Sequence, residues 1–296
     1  MVTPVFGIGF SAMASQCEVH LAARDGCEAN QLAQVAIDEV RRIEAKYSRF
    51  REGTVVSRIN AQAGRDWTAF DAETEALFAY ADTLFDSSGG LFDITSGVLR
   101  QAWDFRAGRR PQEAELAPLL ELIGWHKADR APGKLRLPLA GMEIDFGGFG
   151  KEYAADRAAA LLTAQGVTHG YVNLGGDLRI IGPQPDGTPW QIGIQDPRDK
   201  NALAATIPVH TGALATSGDY ERFFEQDGQR YCHILDPRTG HSVNCWRSVS
   251  VLAPVAIAAG SYATIAMLKQ EAGLAFLQES GLAFLAIDRD GQVHQG

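Results

Sequence analysis

The sequence predicts an α+β protein, helix-rich in its first part, strand-rich in its second and mixed at its end. Three observations carry that prediction. Apolar residues recur at helical spacing between residues 30 and 47. From Tyr171 to Leu252, short strand-like runs alternate with Gly, Pro and Asp turns. No regular strand–helix–strand alternation runs through the chain, which argues against a doubly wound parallel sheet. The 296 residues are enough for one domain over 1–296 with a sizeable core. No repeat, low-complexity tract or linker divides them.

The elements follow in order. Val5–Phe10 and Glu18–Ala22 read as strands. Asn30–Tyr47 reads as an amphipathic helix, with Leu32, Val35, Ala36, Val40 and Ile43 on one face. Asp71 caps a second helix that carries Leu77, Tyr80, Ala81 and Leu84, and Gly89-Gly90 ends it. Pro111–Gly124 gives a third helix, with Pro111 near its start. Lys134–Leu137 and Met142–Phe146 read as strands and Lys151–Gln165 as an Ala-rich helix. Ala256–Gly273 and Leu274–Ser280 are helical, and Leu282–Asp288 closes the chain as a strand.

Composition narrows the function. Hydrophobic residues make up 46% and charged residues 21%, a balance that suits a packed globule and not a disordered chain. Lys plus Arg is 27 and Asp plus Glu is 36, so the net charge is 27 − 36 = −9. Such a chain lacks the basic footprint that phosphate backbones require, so no nucleic-acid partner is expected. The mostly apolar stretch Val249–Ala259 is too short for a bilayer and holds Pro254, so no integral membrane segment is expected. Cys17, Cys27, Cys232 and Cys245 form no CxxC pair and read as free thiols. No basic leader with a long apolar stretch opens the chain. As written the location is cytoplasmic, or periplasmic if an export leader was removed.

Five segments set Gly beside polar residues. In Gly89–Gly97, paired glycines permit close backbone approach and Asp93 and Thr95 offer directional hydrogen bonds, although a helix end and a cap use the same residues. In Glu143–Lys151, a strand enters a Gly-rich turn and then a helix, which presents backbone N–H groups to an anion beside the charge of Lys151. Phosphate contact and a tight structural turn are equally good readings of that spacing. Val172–Leu178 holds Gly175-Gly176, a bulge or hairpin signal. Ala215–Glu221 and His233–Gly240 complete the set. Asp236-Pro237-Arg238-Thr239-Gly240 is a turn that has no need of His233, whose imidazole can exchange a proton near neutral pH.

Together and in this order, these segments resemble the FAD:protein FMN transferases, the ApbE-type flavin transferases. Ala12-Met13-Ala14-Ser15 resembles that family's Met-Gly-Thr segment, and Lys46–Phe50 and Ser57–Asn60 resemble its next two signatures. Phe92–Thr95 with Gly97, Asp145–Asp156, Asn173–Asp177, Thr216–Tyr220 and His233–Gly240 follow. The resemblance implies a bilobed α+β fold that binds FAD between its lobes. It also implies transfer of the FMN half of FAD to a Thr or Ser hydroxyl of an acceptor protein, with AMP leaving and Mg²⁺ assisting. By matching position, Met13, Phe50, Leu91, Phe92, Asp93, Asp145, Lys151 and Leu235 contact FAD, His233 handles the proton of the attacking hydroxyl, and Gly148, Ala263 and Thr264 belong to the metal site.

One departure stands out. The family's late helix carries an Ala-Asp-x-x-Ala-Thr-like segment, and here the matching stretch is Ala259-Gly260-Ser261-Tyr262-Ala263-Thr264. Gly260 stands where the acid belongs, and Mg²⁺ normally takes one or two carboxylates. The family's usual Gly after the Lys is replaced by Glu152, a carboxylate that is a partial substitute. Three activities stay open: FMN transfer, FAD binding with weak or lost transfer, and slow FAD pyrophosphate hydrolysis. The second carries the expectation that Gly260→Asp gains activity.

Overall fold

The computed structural model describes residues 2–296. The chain opens with strands β1 (Val5–Ala12) and β2 (Ser15–Ala22), then helices α1 (Gly26–Tyr47) and α2 (Val55–Ala61). Strand β3 (Thr68–Ala69), helices α3 (Ala72–Ser88) and α4 (Glu113–Leu120), and strands β4 (Asp129–Ala131) and β5 (Lys134–Arg136) follow. Helix α5 (Gly150–Ala164) leads into β6 (Gly170–Leu174), β7 (Asp177–Gly182), β8 (Trp190–Gln195), β9 (Leu203–Val209) and β10 (Gly212–Gly218). Then come β11 (Phe223–Gln226), β12 (Gln229–Cys232), β13 (Trp246–Ala253), α6 (Ala256–Lys269), α7 (Gly273–Ser280), β14 (Phe284–Asp288) and β15 (Val293–Gln295).

One antiparallel sheet organises the protein, in the order β1-β2-β6-β7-β10-β13-β14-β15. Strand periodicity explains its two faces, since alternate residues point to opposite sides. Val172, Leu174, Ala213, Ala215, Val249 and Val251 join the main core with α1, α5 and α6. Leu178, Ile180 and Leu214 face the other way, where Ile192, Ile194 and Val209 of the β8–β9 hairpin cover them. A third cluster joins Val98, Leu99, Trp103 and Leu116 to Tyr231.

Several predicted boundaries move, each for a local reason. Helix α1 begins earlier than Asn30, because the Asp25 carboxylate accepts the free amides of Cys27 and Glu28, each at 2.9 Å. The expected third helix shrinks to Glu113–Leu120, closed by Arg109–Glu115 contacts at its start and with Pro118 inside it. Met142–Phe146 is not a strand. At Ile144 the backbone partner is the Asn60 side chain, which accepts from the Ile144 amide at 2.7 Å and donates to the Ile144 carbonyl at 3.0 Å. Ala256–Gly273 is not continuous: Gln270 has a positive φ of 49°, a 3₁₀ turn covers Gln270–Ala272, and α7 restarts at Gly273.

Helix α6 has no side-chain cap of its own. Asp156 on α5 takes that role, accepting the amides of Ala256 at 2.8 Å and Ile257 at 2.9 Å. A carboxylate at a helix start satisfies free donors and meets the positive end of the dipole.

Candidate functional site

Three turns and one helix start meet at the site. The first turn is the β1–β2 hairpin tip. Met13 and Ala14 both have positive φ, 50° and 57°, which matches the twist of a two-residue hairpin but strains residues with a Cβ. The Met13 amide donates to Glu44 Oε1 at 3.0 Å, which anchors the tip to α1. The second is the β6–β7 turn at Gly175-Gly176, closed by the Gly176 amide on Asn173 Oδ1 at 2.9 Å. A Cβ on Gly175 would lie 2.8 Å from Ser15 Oγ and 3.8 Å from Lys151 Nζ. A bare glycine is what lets this backbone pass between the hairpin tip and the lysine.

The third turn, Gly147-Gly148, feeds α5. Phe149 precedes the helix without a side-chain cap, so the first amides of α5 stay available to an anion. A Cβ on Gly148 would sit 2.7 Å from Phe92 Cζ, so the loop lies flat on that ring. Asp145 fixes the loop's entry: Oδ1 accepts the Gly147 amide at 3.0 Å and Oδ2 pairs with Arg49 at 2.6 Å. The Arg49 guanidinium lies over the Phe50 ring at 4.8 Å, and Phe50 itself is 81% exposed.

Lys151 points to Asp177, with Nζ 2.6 Å from Oδ2. Burial works against the ammonium, but the charges of Asp177 and Glu152 outweigh it and its pKa is raised. Burial raises the pKa of Asp177, with Lys151 opposing. Burial likewise raises that of Glu152, to about 8, with the Asp177 charge adding to the rise. Thr264 on α6 meets β10, its Oγ1 2.8 Å from Ser217 Oγ.

His233 follows β12 and is exposed. Partial desolvation of its ring, then the cations of Arg222 and Lys151, push its pKa down to about 4, so the imidazole is neutral at pH 7 and can accept a proton. The Asp236–Gly240 turn holds its position. Asp236 Oδ1 accepts the Arg238 amide at 2.8 Å, and Trp103 Nε1 donates to the Gly240 carbonyl at 2.8 Å. Leu235 is half-buried and bridges to Ser242.

The predicted site residues thus divide. Met13, Asp145, Gly148 and Lys151 belong to or border these turns, while Thr264 lies against Ser217 of β10 and His233 follows β12. The side chains of Leu91, Phe92 and Asp93 turn inward. Asp93 is committed to the Thr95 amide at 2.7 Å and the Trp125 amide at 2.9 Å, and its own carbonyl accepts the Ser96 amide at 3.0 Å. Ala263 is fully buried in α6 and offers only its carbonyl. Arg49 and Asp177 were missed as site residues; a cation next to an aromatic and an acid closing a double glycine are the signals that mark them. A separate hollow of about 730 Å³, lined by Ala107–Glu113 and Gln226, contains none of these residues. No group of three or more His, Cys, Asp and Glu side chains is arranged to hold a metal ion among the described residues. No described helix is long and apolar enough to cross a membrane.

Fold and site define a mixed helix-and-sheet protein whose glycine turns surround an uncapped helix start and the pair of half-buried Lys151 with buried Asp177. The chain belongs to the ApbE family, whose model matches residues 13–286. It is 29% identical over 283 residues to the FAD:protein FMN transferase of Vibrio cholerae, covering 93% of this chain and 85% of that one. It is 30% identical over 299 residues to the enzyme of the same name from Treponema pallidum, covering 94% and 83%. The crystal structure of the ApbE protein of Thermotoga maritima superimposes with a TM-score of 0.90 at 30% identity, over 99% of this chain and 97% of that one. The apo flavinyl transferase ApbE of Pseudomonas stutzeri gives 0.87 at 28% identity, over 99% and 95%.

Proposed function

We propose that this protein transfers the FMN half of FAD to a Thr or Ser hydroxyl of an acceptor protein and releases AMP. The observation that carries this reading is the convergence of the Gly147-Gly148 loop, the open start of α5 and Lys151 in a chain whose relatives are FAD:protein FMN transferases. The diphosphate of FAD is an anion, and those groups are the ones physics selects for an anion.

In the reaction, the acceptor oxygen forms a bond to the phosphorus of the FMN half. The bond from that phosphorus to the bridging oxygen breaks, and AMP leaves with that oxygen. Neutral His233 takes the hydroxyl proton. Lys151, held charged by Asp177, sits where negative charge concentrates. The hairpin tip at Met13 and the Asp145 loop orient the dinucleotide.

Mg²⁺, when bound, supplies charge neutralisation on the diphosphate. The residues present fit an oxygen-preferring ion: the Thr264 hydroxyl and the carbonyls of Gly148 and Ala263 are oxygen donors, and a buried carboxylate oxygen nearby, Oε2 of Glu152, has no hydrogen-bond partner.

The test incubates purified protein with FAD, Mg²⁺ and acceptor. The expected products are an acceptor heavier by one FMN residue and one AMP per transfer, read by mass spectrometry and chromatography. Free FMN and AMP in equal amounts, at the same rate with and without acceptor, would mark a hydrolase instead.

A further inference from the structure

Glu152 and Gly260 share one space. A Cβ built on Gly260 would lie 2.7 Å from Glu152 Cγ and 2.8 Å from its Cδ, with Oε1 in contact as well. A side chain at 260 fits only if the buried Glu152 carboxylate is pushed aside. Activity is therefore not expected to rise in Gly260→Asp alone, contrary to the expectation from sequence.

Both residues are costly where they stand. A glycine inside a helix is less favourable than alanine. A buried carboxylate without a partner is costly unless it is protonated or meets a cation. Glu152 is 7% exposed, and its Oε2 has no hydrogen-bond partner. The cation next to it in sequence, Lys151, gives its ammonium to Asp177. Gly260 and Thr264 stand one turn apart on the same face of α6. The Thr264 hydroxyl therefore faces the same side as the Glu152 carboxylate.

We propose that Glu152 is the anionic metal ligand of this chain, delivered from α5 into the space that a side chain at Gly260 would fill. Acid and glycine have exchanged helices, and the carboxylate arrives at one place by either route. A Glu from α5 carries the extra methylene needed to cross a gap that Gly260 leaves open. The inference rests on the reading of the site as a metal-assisted flavin transferase.

Two measurements on the full chain separate the inference from that reading. Flavin fluorescence quenching reads FAD binding, and the electron paramagnetic resonance signal of free Mn²⁺, titrated with and without FAD, reads metal binding. Wild type is expected to bind both. Glu152→Gln is expected to keep FAD binding and to lose roughly tenfold or more in Mn²⁺ affinity. Gly260→Asp alone is expected to gain no Mn²⁺ affinity. Glu152→Gly combined with Gly260→Asp is expected to restore it to within about threefold of wild type. Unchanged Mn²⁺ affinity in Glu152→Gln overturns the inference, as does a wild type that binds FAD but no Mn²⁺. Should Glu152→Gln not fold, the paired swap decides: a folded swap that binds no Mn²⁺ is the overturning result. A wild type that does not bind FAD overturns the transferase reading instead.

Discussion

Asp156 and Ala256 set the register in which α5 and α6 face each other, with Asp156 Oδ1 accepting the Ala256 amide at 2.8 Å and Oδ2 accepting the next amide at 2.9 Å. One turn back along α5 lies Glu152, and one turn forward along α6 lies Gly260. The capping contact therefore aligns the pair on which the metal-ligand proposal depends. Asp156→Ala is expected to lower stability by about 1–2 kcal/mol, the usual cost of a lost cap with its dipole interaction. The denaturant midpoint reads this, and a midpoint equal to wild type would count against the capping role.

His233 gives a prediction in both rate and pH. His233→Gln is expected to slow transfer by about 10²–10⁴-fold with FAD binding preserved, the range for a general base. With a pKa pushed down to about 4, the imidazole stays neutral far below the ordinary 6.5. The part of the rate that depends on His233 therefore persists to near pH 4, and a pH profile of wild type minus variant measures it. Stability runs the same way. Between the two pKa values the unfolded chain holds a proton that the folded chain does not, so stability falls as pH drops from 6.5 toward 4 and is level above 6.5. Urea midpoints at pH 7 and 5 should differ less in His233→Gln than in wild type.

Lys151 and Asp177 are coupled in the interior. Asp177→Asn strands a half-buried ammonium and Lys151→Met strands a buried carboxylate, and each is expected to cost about 2–3 kcal/mol. The double variant is expected to cost less than the sum of the two. A thermal double-mutant cycle measures this, and strict additivity would show that the pair does not interact. Both variants that lack Lys151 should also weaken FAD binding, since the start of α5 then loses its cation.

Asn60 holds the approach to the glycine loop by two hydrogen bonds to Ile144, at 2.7 and 3.0 Å. Asn60→Ala leaves both backbone groups unpaired and is expected to cost about 2 kcal/mol. Amide exchange at Ile144 and Asp145 should quicken before global unfolding does. Unchanged exchange there would refute the clamp.

The Asn60 contact also shows where the sequence was readable. Helix α1 was legible because its apolar face repeats every 3.6 residues, and β1 because a strand needs only a run of extended-prone residues. Met142–Phe146 has the same composition as a strand, yet a side chain from another signature takes the place of a neighbouring strand. Helix α2 is short, and its Thr54 cap was the sole local signal. In the site, the Gly loop with Lys151 and the turn with His233 were visible from residue type and order. The inward orientation of Leu91, Phe92 and Asp93 was not, because burial is decided by packing partners far away in the chain. The missing acid at 260 and the added one at 152 were both plain in the sequence; only the fold brings them into contact.

That contact ties the inheritance of two positions together. Any side chain gained at 260 must displace the Glu152 carboxylate or be matched by a smaller residue at 152, whatever ion or ligand the space receives. In this chain, the two sites amount to one character written in two places. A relative that carries Gly at the later site is to be judged defective only after its earlier site has been inspected.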